Sequence, residues 1–408
     1  MGIKRSMILI PFLLFVLNSI SIADSISQGN KALISAGKIA FASKRDGNFE
    51  IYTINEDGTD LKRLTSNKND DLKPQWSPDG RRILYLSKKG KEFALRVMNN
   101  DGSGQVELAR NCAGEYPPLW SPDSAKILFV AKSKSKNTIY TVDADGSNLI
   151  RLSEIDTEGS YPSWSSHGLK ILYLEKYRRK SYIYMINPDG TGRSKITKED
   201  GTYKASTWSP DGCKIAYLSI KKTLLGTCNQ IMVMNNDGSN NIQLADGSKK
   251  VENIDYNDNF SWSPDGAMIA FTRVAEVEGK VSENGSVTFT YIYGAYIVAA
   301  DGNGYDRLLA KTGTKPMLPD WSPDGAKVAI VSDSKLIIYN MKTRLEDEIR
   351  VNVSIPLSPV RWSPDGDKLI FAGKNHSFQK SALYLVTFDG KVIKLSEAND
   401  YDPVWAPK

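Results

Sequence analysis

Histidine is nearly missing from these 408 residues: His167 and His376 are the two. So few exclude a histidine-rich metal centre, and in the repeat described below the pair falls on opposite faces of the molecule. A serine-hydrolase triad would need a Gly-x-Ser-x-Gly elbow ahead of a histidine, and no such elbow occurs. Cysteine is scarce and odd in number, with Cys112, Cys213 and Cys228. Cys213 and Cys228 begin successive antiparallel strands, so they lie at opposite ends of a hairpin, too far apart for a disulfide. Three unpaired thiols are expected.

Long apolar runs are also lacking. The one candidate, Met7–Leu17, follows Lys4 and Arg5 and precedes Ser21-Ile22-Ala23. Eleven residues are too few to span a bilayer, and the pattern reads as a cleaved secretory leader. The expected division is a leader over 1–23, a short segment over 24–37 and one domain over 38–408. The product is expected to be exported, periplasmic or extracellular, with no transmembrane segment and as a monomer. The formal charge is +6, and losing Lys4 and Arg5 leaves about +4, mild for a chain of this size. Export and the lack of a basic-aromatic groove argue against nucleic acid.

What the chain does have is tryptophan in register: Trp76, Trp120, Trp164, Trp208, Trp262, Trp321, Trp362 and Trp405. The first four are 44 residues apart, and six of the eight open Trp-Ser-Pro-Asp-Gly or its variant Trp120-Ser121-Pro122-Asp123-Ser124. Proline presets the turn, and glycine accepts the left-handed conformation behind it. Each motif leads into an apolar strand such as Lys126–Val130, then a second strand that ends in Asp-Gly, as at Asp57-Gly58 and Asp145-Gly146. Asp-Gly favours hairpin turns. A short fourth strand completes the unit. Asp143–Asn148 superficially matches the start of a calcium loop but lacks the acid at its twelfth position, so it reads as a hairpin turn.

Four antiparallel strands in about 44 residues match a propeller blade. Seven repeats are complete. Three strands precede Trp76 and one, Asp402–Trp405, follows the last repeat. Pairing the chain's ends would therefore make an eighth blade. The expected fold is an all-β propeller of eight blades, with seven as the alternative.

These residues resemble the TolB-type propeller repeat (PD40-type, WD40-like), over nearly all of the chain from Lys38. The repeats are also similar to those of prolyl-oligopeptidase-type and oligosaccharide-lyase propellers. Resemblance to the TolB type implies a partner in a Tol-Pal-like envelope system. The chain departs from TolB proper, which has an α/β domain ahead of six blades.

Two sets of loop residues stand out. Just ahead of the tryptophan strands lie Asp70, Asp71, Glu115, Tyr116, Glu158, Tyr161, Tyr203, Asp255, Tyr256, Asp258, Asp400, Tyr401 and Asp402, an expected acidic and aromatic ring at the channel mouth. Outside it, Lys88, Lys89, Lys132, Lys134, Lys176, Arg178 and Arg179 recur at hairpin tips as an expected basic rim. Opposite charges in concentric rings suit a docking surface, although polar loops and solvated lysines would give the same pattern.

The expected function is a non-catalytic scaffold that binds an envelope protein, without cofactor or metal. The alternative is a propeller that binds or processes carbohydrate through its tyrosines, with an anionic cell-wall polymer as a further partner. Replacing Asp71, Asp258 and Asp400 by alanine is expected to spare the fold and weaken binding. A blade over 262–321, longer by a hairpin at 273–293, is expected to carry a projecting arm.

Overall fold

A computed structural model describes residues 37–133, 136–155, 162–223, 226–246, 260–281, 287–312, 319–332, 335–351, 360–374, 380–396 and 398–408. The expected leader and nearly all of the segment after it lie outside these residues. Among the described residues, every sheet is four-stranded and antiparallel, and there are eight of them. Together they form an eight-bladed propeller.

Blade 1 joins the two ends of the domain: Lys38–Ser43, Glu50–Asn55 and Lys62–Arg63 pair with the inner strand Asp400–Trp405. Blades 2 to 8 then follow in chain order, with inner strands Asp70–Trp76, Leu119–Trp120, Ser163–Trp164, Thr202–Trp208, Phe260–Trp262, Asp320–Trp321 and Arg361–Trp362.

A single blade cannot bury both faces, so its apolar side chains must be covered by its neighbours. Eight apolar clusters do this, one for each joint, and each contains one tryptophan. Trp120, for example, packs with Leu84 and Leu86 of blade 2 and with Ile127 and Phe129 of its own blade. Five indoles also donate Nε1–H across the joint, to the carbonyl of the residue just before the preceding blade's tryptophan. Trp120 reaches Gln75 at 3.4 Å, Trp164 reaches Leu119 at 3.2 Å, and Trp321 reaches Ser261 at 3.4 Å. Trp362 reaches Asp320 at 3.1 Å, and Trp405 closes the ring on Arg361 at 3.2 Å.

The turns form as the motif predicts. Ser77, Ser121, Ser209, Ser263 and Ser322 are buried, and each donates its hydroxyl to the aspartate two residues on, at 2.5–2.6 Å. Gly80, Gly212, Gly266, Gly325 and Gly366 follow at φ 66–76°. These turns and the Asp-Gly turns share one end of the ring, here called the turn face. Hairpin tips and inter-blade loops share the other, the loop face. Asp143–Asn148 is one of the Asp-Gly turns: Asp145 Oδ1 accepts from the amide and hydroxyl of Ser147.

Cys112 is buried and free, with its thiol pushed up to about 12 by burial, and Cys213 is exposed and free. The Cys228 side chain lies outside the described residues. The long hairpin is present as Met268–Val281 and Val287–Ala299.

Candidate functional site

Inner strands run from the loop face to the turn face and end at the tryptophan, so the residues one to three before it line the channel and those farther ahead lie at its loop-face mouth. In blades 1, 2 and 5 a β-bulge interrupts the inner strand. The bulge puts the third residue before the tryptophan in the left-handed region: Asp402 at φ 52°, Lys73 at φ 54° and Ala205 at φ 42°. Non-glycine residues rarely adopt this conformation, and it re-aims a side chain that a regular strand would hold against its neighbour.

Two of the re-aimed residues, with two others, make a wall of alternating charge on four consecutive blades. Lys73 of blade 2, Asp402 of blade 1, Arg361 of blade 8 and Asp320 of blade 7 follow one another around the ring. Part of each side chain stays solvent-accessible, yet protein surrounds it closely. Burial pushes Asp320 up to about 6 against the opposing pull of Arg361. Asp402 is likewise raised by burial, opposed by Lys73 and Arg361. Lys73 and Arg361 are lowered by burial, against the acids that hold them charged. Lys73 Nζ donates to the Gly114 carbonyl at 2.5 Å. Among the described residues, those just before the tryptophan in blades 4 to 6 are the uncharged Ser163, Thr207 and Ser261.

Sequence reasoning found Asp402 and missed the other three. Asp320 and Arg361 touch their tryptophans directly in sequence, and an alternation visible only around a closed ring leaves no local signal.

Four residues of the expected acidic and aromatic ring are buried: Asp71, Asp400, Tyr116 and Tyr203. Asp71 and Asp400 have no exposed surface. Asp71 accepts from Asn67 Nδ2 at 2.7 Å and lies beside the equally buried Glu50, which takes Thr65 Oγ1 at 2.6 Å, the Asn67 amide at 2.8 Å and Arg63 at 3.0 Å. Burial raises the Asp71 pKa. Asp400 accepts from Arg45 at 3.2 Å, from the Ala398 amide at 3.2 Å and from the Ser396 hydroxyl. These two carboxylates hold loops between blades and offer nothing to a ligand, so alanine there should damage the fold, contrary to the sequence expectation.

Tyr116 is buried in the joint of blades 3 and 4. Tyr203 is buried edge-on to Tyr217, with centroids 5.6 Å apart. Neither ring is open to a sugar. Asp70 caps the Phe49 amide at 3.0 Å, Glu115 bridges Lys132 at 3.0 Å, and Tyr401 packs edge-on against Phe49. Glu158, Tyr161, Asp255, Tyr256 and Asp258 lie outside the described residues.

Of the rim, Lys88 is half-buried over the Phe93 ring, and Lys132 is spent on Glu115. Lys89, Lys176, Arg178 and Arg179 are exposed at hairpin tips. Lys134 lies outside the described residues. Among the described residues no group of three or more His, Cys, Asp or Glu is placed to hold a metal ion.

Fold and channel together define the class: an eight-bladed propeller with a polar, partly charged channel. The TolB beta propeller domain family matches over residues 34–212 and 114–288, and the chain belongs to that family. A 47-residue stretch is 49% identical to the Tol-Pal system protein TolB of Geobacter sulfurreducens, and it covers 12% of this chain and 11% of that relative. The match thus spans about a tenth of the relative's length.

In three dimensions the chain is similar to an oligogalacturonate lyase from Vibrio parahaemolyticus, with a TM-score of 0.51 and 15% identity over 87% of this chain and 88% of the other. It is also similar to the dihydro-heme d1 dehydrogenase NirN, with a TM-score of 0.59 and 13% identity over 94% and 78%. These neighbours overturn the sequence expectation that the chain is not an enzyme, because the architecture it shares with them carries catalysis. The scarcity of histidine bore on two particular chemistries only, and a carboxyl near pKa 6 on the channel wall was invisible to that reasoning.

Proposed function

We propose that this chain is an exported propeller that binds a protein partner of a Tol-Pal-like envelope assembly through its loop face and channel mouth, with a segment of the partner reaching into the channel. The observation that carries the proposal is the alternating wall of Lys73, Asp402, Arg361 and Asp320. Enclosed charges of both signs, arranged around an opening, suit an inserted chain segment that brings its own amides, carboxylates and amines. Family membership supports the envelope setting, and a leader-like start over 1–23 supports export. Among the described residues no helix is long and apolar enough to cross a membrane. The saccharide reading is weakened by the burial of Tyr116 and Tyr203.

The test is retention of envelope proteins on the immobilised chain, compared with a triple variant, Asp320→Asn, Arg361→Gln and Asp402→Asn. A protein held by the wild type and released by the folded variant supports the proposal. Equal retention by both would sink it.

A further inference from the structure

Outside the channel mouth, the loop face carries a pattern that partner binding at the mouth leaves unused. The tip between the second and third strands of blade 2 presents Lys89 and Lys91, and that of blade 4 presents Lys176, Arg178 and Arg179, all exposed. Some exposed bases elsewhere on the ring find carboxylates, as Lys335 does with Glu348 at 3.1 Å and Lys391 with Asp389 at 2.7 Å, and others, such as Arg81 and Lys342, stand singly. Lys89, Lys91, Lys176 and Arg179 have no such partner among the described residues. Glu92 stands across the hairpin from Lys89, and Lys180 beside the blade 4 tip pairs with Asp200, yet bases outnumber acids at each tip, and such an excess favours an anionic neighbour.

The second observation is apolar. Tyr177 stands at the blade 4 tip with 63% of its surface exposed, and the Arg178 guanidinium lies 5.4 Å from its ring centre. Arg178 itself holds φ 60° to make that tip. Two blades on, the projecting hairpin of blade 6 exposes Tyr291 and Val287, at 42% and 51%. All these tips point from the same end of the ring, because every second strand runs from the turn face to the loop face. A soluble polyanion would satisfy the bases and leave the tyrosines in water. A bilayer surface takes both, since tyrosine settles at headgroup depth and bases collect at anionic headgroups.

We infer that the hairpin tips of blades 2 and 4, with the outer strands of the blade 6 hairpin, dock on an anionic phospholipid surface. Tyr177, with Val287 and Tyr291 of the blade 6 hairpin, enters the headgroup layer, and Lys89, Lys91, Lys176, Arg178 and Arg179 meet lipid phosphates. The channel mouth would then face the membrane.

The experiment is sedimentation of the full chain with vesicles of phosphatidylcholine alone or mixed with phosphatidylglycerol. Binding is expected on the mixed vesicles only and should weaken as salt rises. The triple variant Lys176→Gln, Arg178→Gln and Arg179→Gln should bind about tenfold or more weakly. Tyr177→Ser should weaken vesicle binding yet leave binding to soluble polyphosphate unchanged. Lys342→Gln, on the turn face, serves as the control that changes nothing. Binding to polyphosphate without binding to vesicles would assign the rim to a soluble polyanion and overturn the inference. So would equal binding to neutral vesicles, or none by the folded wild type. The channel variant Asp320→Asn, Arg361→Gln and Asp402→Asn should still bind vesicles, so this inference and the partner proposal can fail separately.

Discussion

Each tryptophan in this ring fills a joint, but only some indoles also bond across it. Trp164 donates to Leu119, whereas Trp208 is equally buried and its Nε1 has no partner. Phenylalanine removes similar volume at both sites, so the difference isolates the hydrogen bond. Trp164→Phe should cost about 1 kcal/mol more than Trp208→Phe in urea unfolding, and equal costs would remove the indole bond from the account. Asp320 yields a second residue-scale prediction, in pH. Its carboxyl is at about 6 in the fold against the ordinary 3.8, so ionisation is penalised by folding. The stability this group contributes is fully present below pH 3.8 and is lost as pH rises through 6. Wild type should therefore lose about 3 kcal/mol between those limits relative to Asp320→Asn. Parallel stability curves for the two proteins would refute the burial of that charge. For Asp400, alanine should cost about 3 kcal/mol, because Arg45 would keep a partly buried charge without its carboxylate. The denaturation midpoint checks this directly.

At the scale of the element, the long hairpin of blade 6 separates what a blade needs from what has been added to it. Its inner end, near Val274 and Tyr293, lies within the sheet, where Tyr293 pairs with Thr312 and Gly294 with Lys311. Farther out the two strands pair with each other alone. Excising 277–290 and closing the gap with Asn-Gly should leave the melting temperature within a few degrees, since no blade joint is touched. A collapse of stability would mean that the arm packs on the ring. This arm was legible in the sequence because Asn284-Gly285 between β-rich runs is a local signal. Every blade was legible for the same reason: turn chemistry and alternation are written within a few residues. The bulges were not. Lys73, Ala205 and Asp402 hold positive φ without being glycine, imposed by the strand alongside and not by their own preferences. The channel wall depends on two of those bulges, so it stayed hidden. Asp71 and Asp400 misled in the opposite sense. An acid in a polar loop reads as exposed until its cover is seen: Asn67 folding back over Asp71 within one loop, and Arg45 reaching Asp400 from the far end of the chain.

At the scale of the whole molecule, one strand decides whether the ring is closed. Asp400–Trp405 pairs with Lys38–Ser43, Ile39 opposite Trp405 and Ser43 opposite Asp400. Around this pairing, the Ala406 amide donates to Lys38 at 2.8 Å and Arg45 bonds Asp400. The Trp405 indole bonds Arg361 of blade 8. The contacts within blade 1 join segments more than 350 residues apart in the chain, so they carry a large loop-closure entropy. Removing residues 398–408 strips blade 1 of its inner strand and opens the cluster in which Ile39 and Phe41 meet Ile370 and Leu385. It also leaves the edge of Lys38–Ser43 unpaired, a template for association. The truncated chain should melt well below the full one and aggregate, and a synthetic peptide of residues 398–408 should restore part of the loss in proportion to its concentration. A truncated chain with an unchanged melting temperature would mean that the other seven blades hold the ring without their clasp. The peptide titration tells these apart even if the truncated chain is poorly folded, because only a propeller whose closing seat survives can show a concentration-dependent recovery.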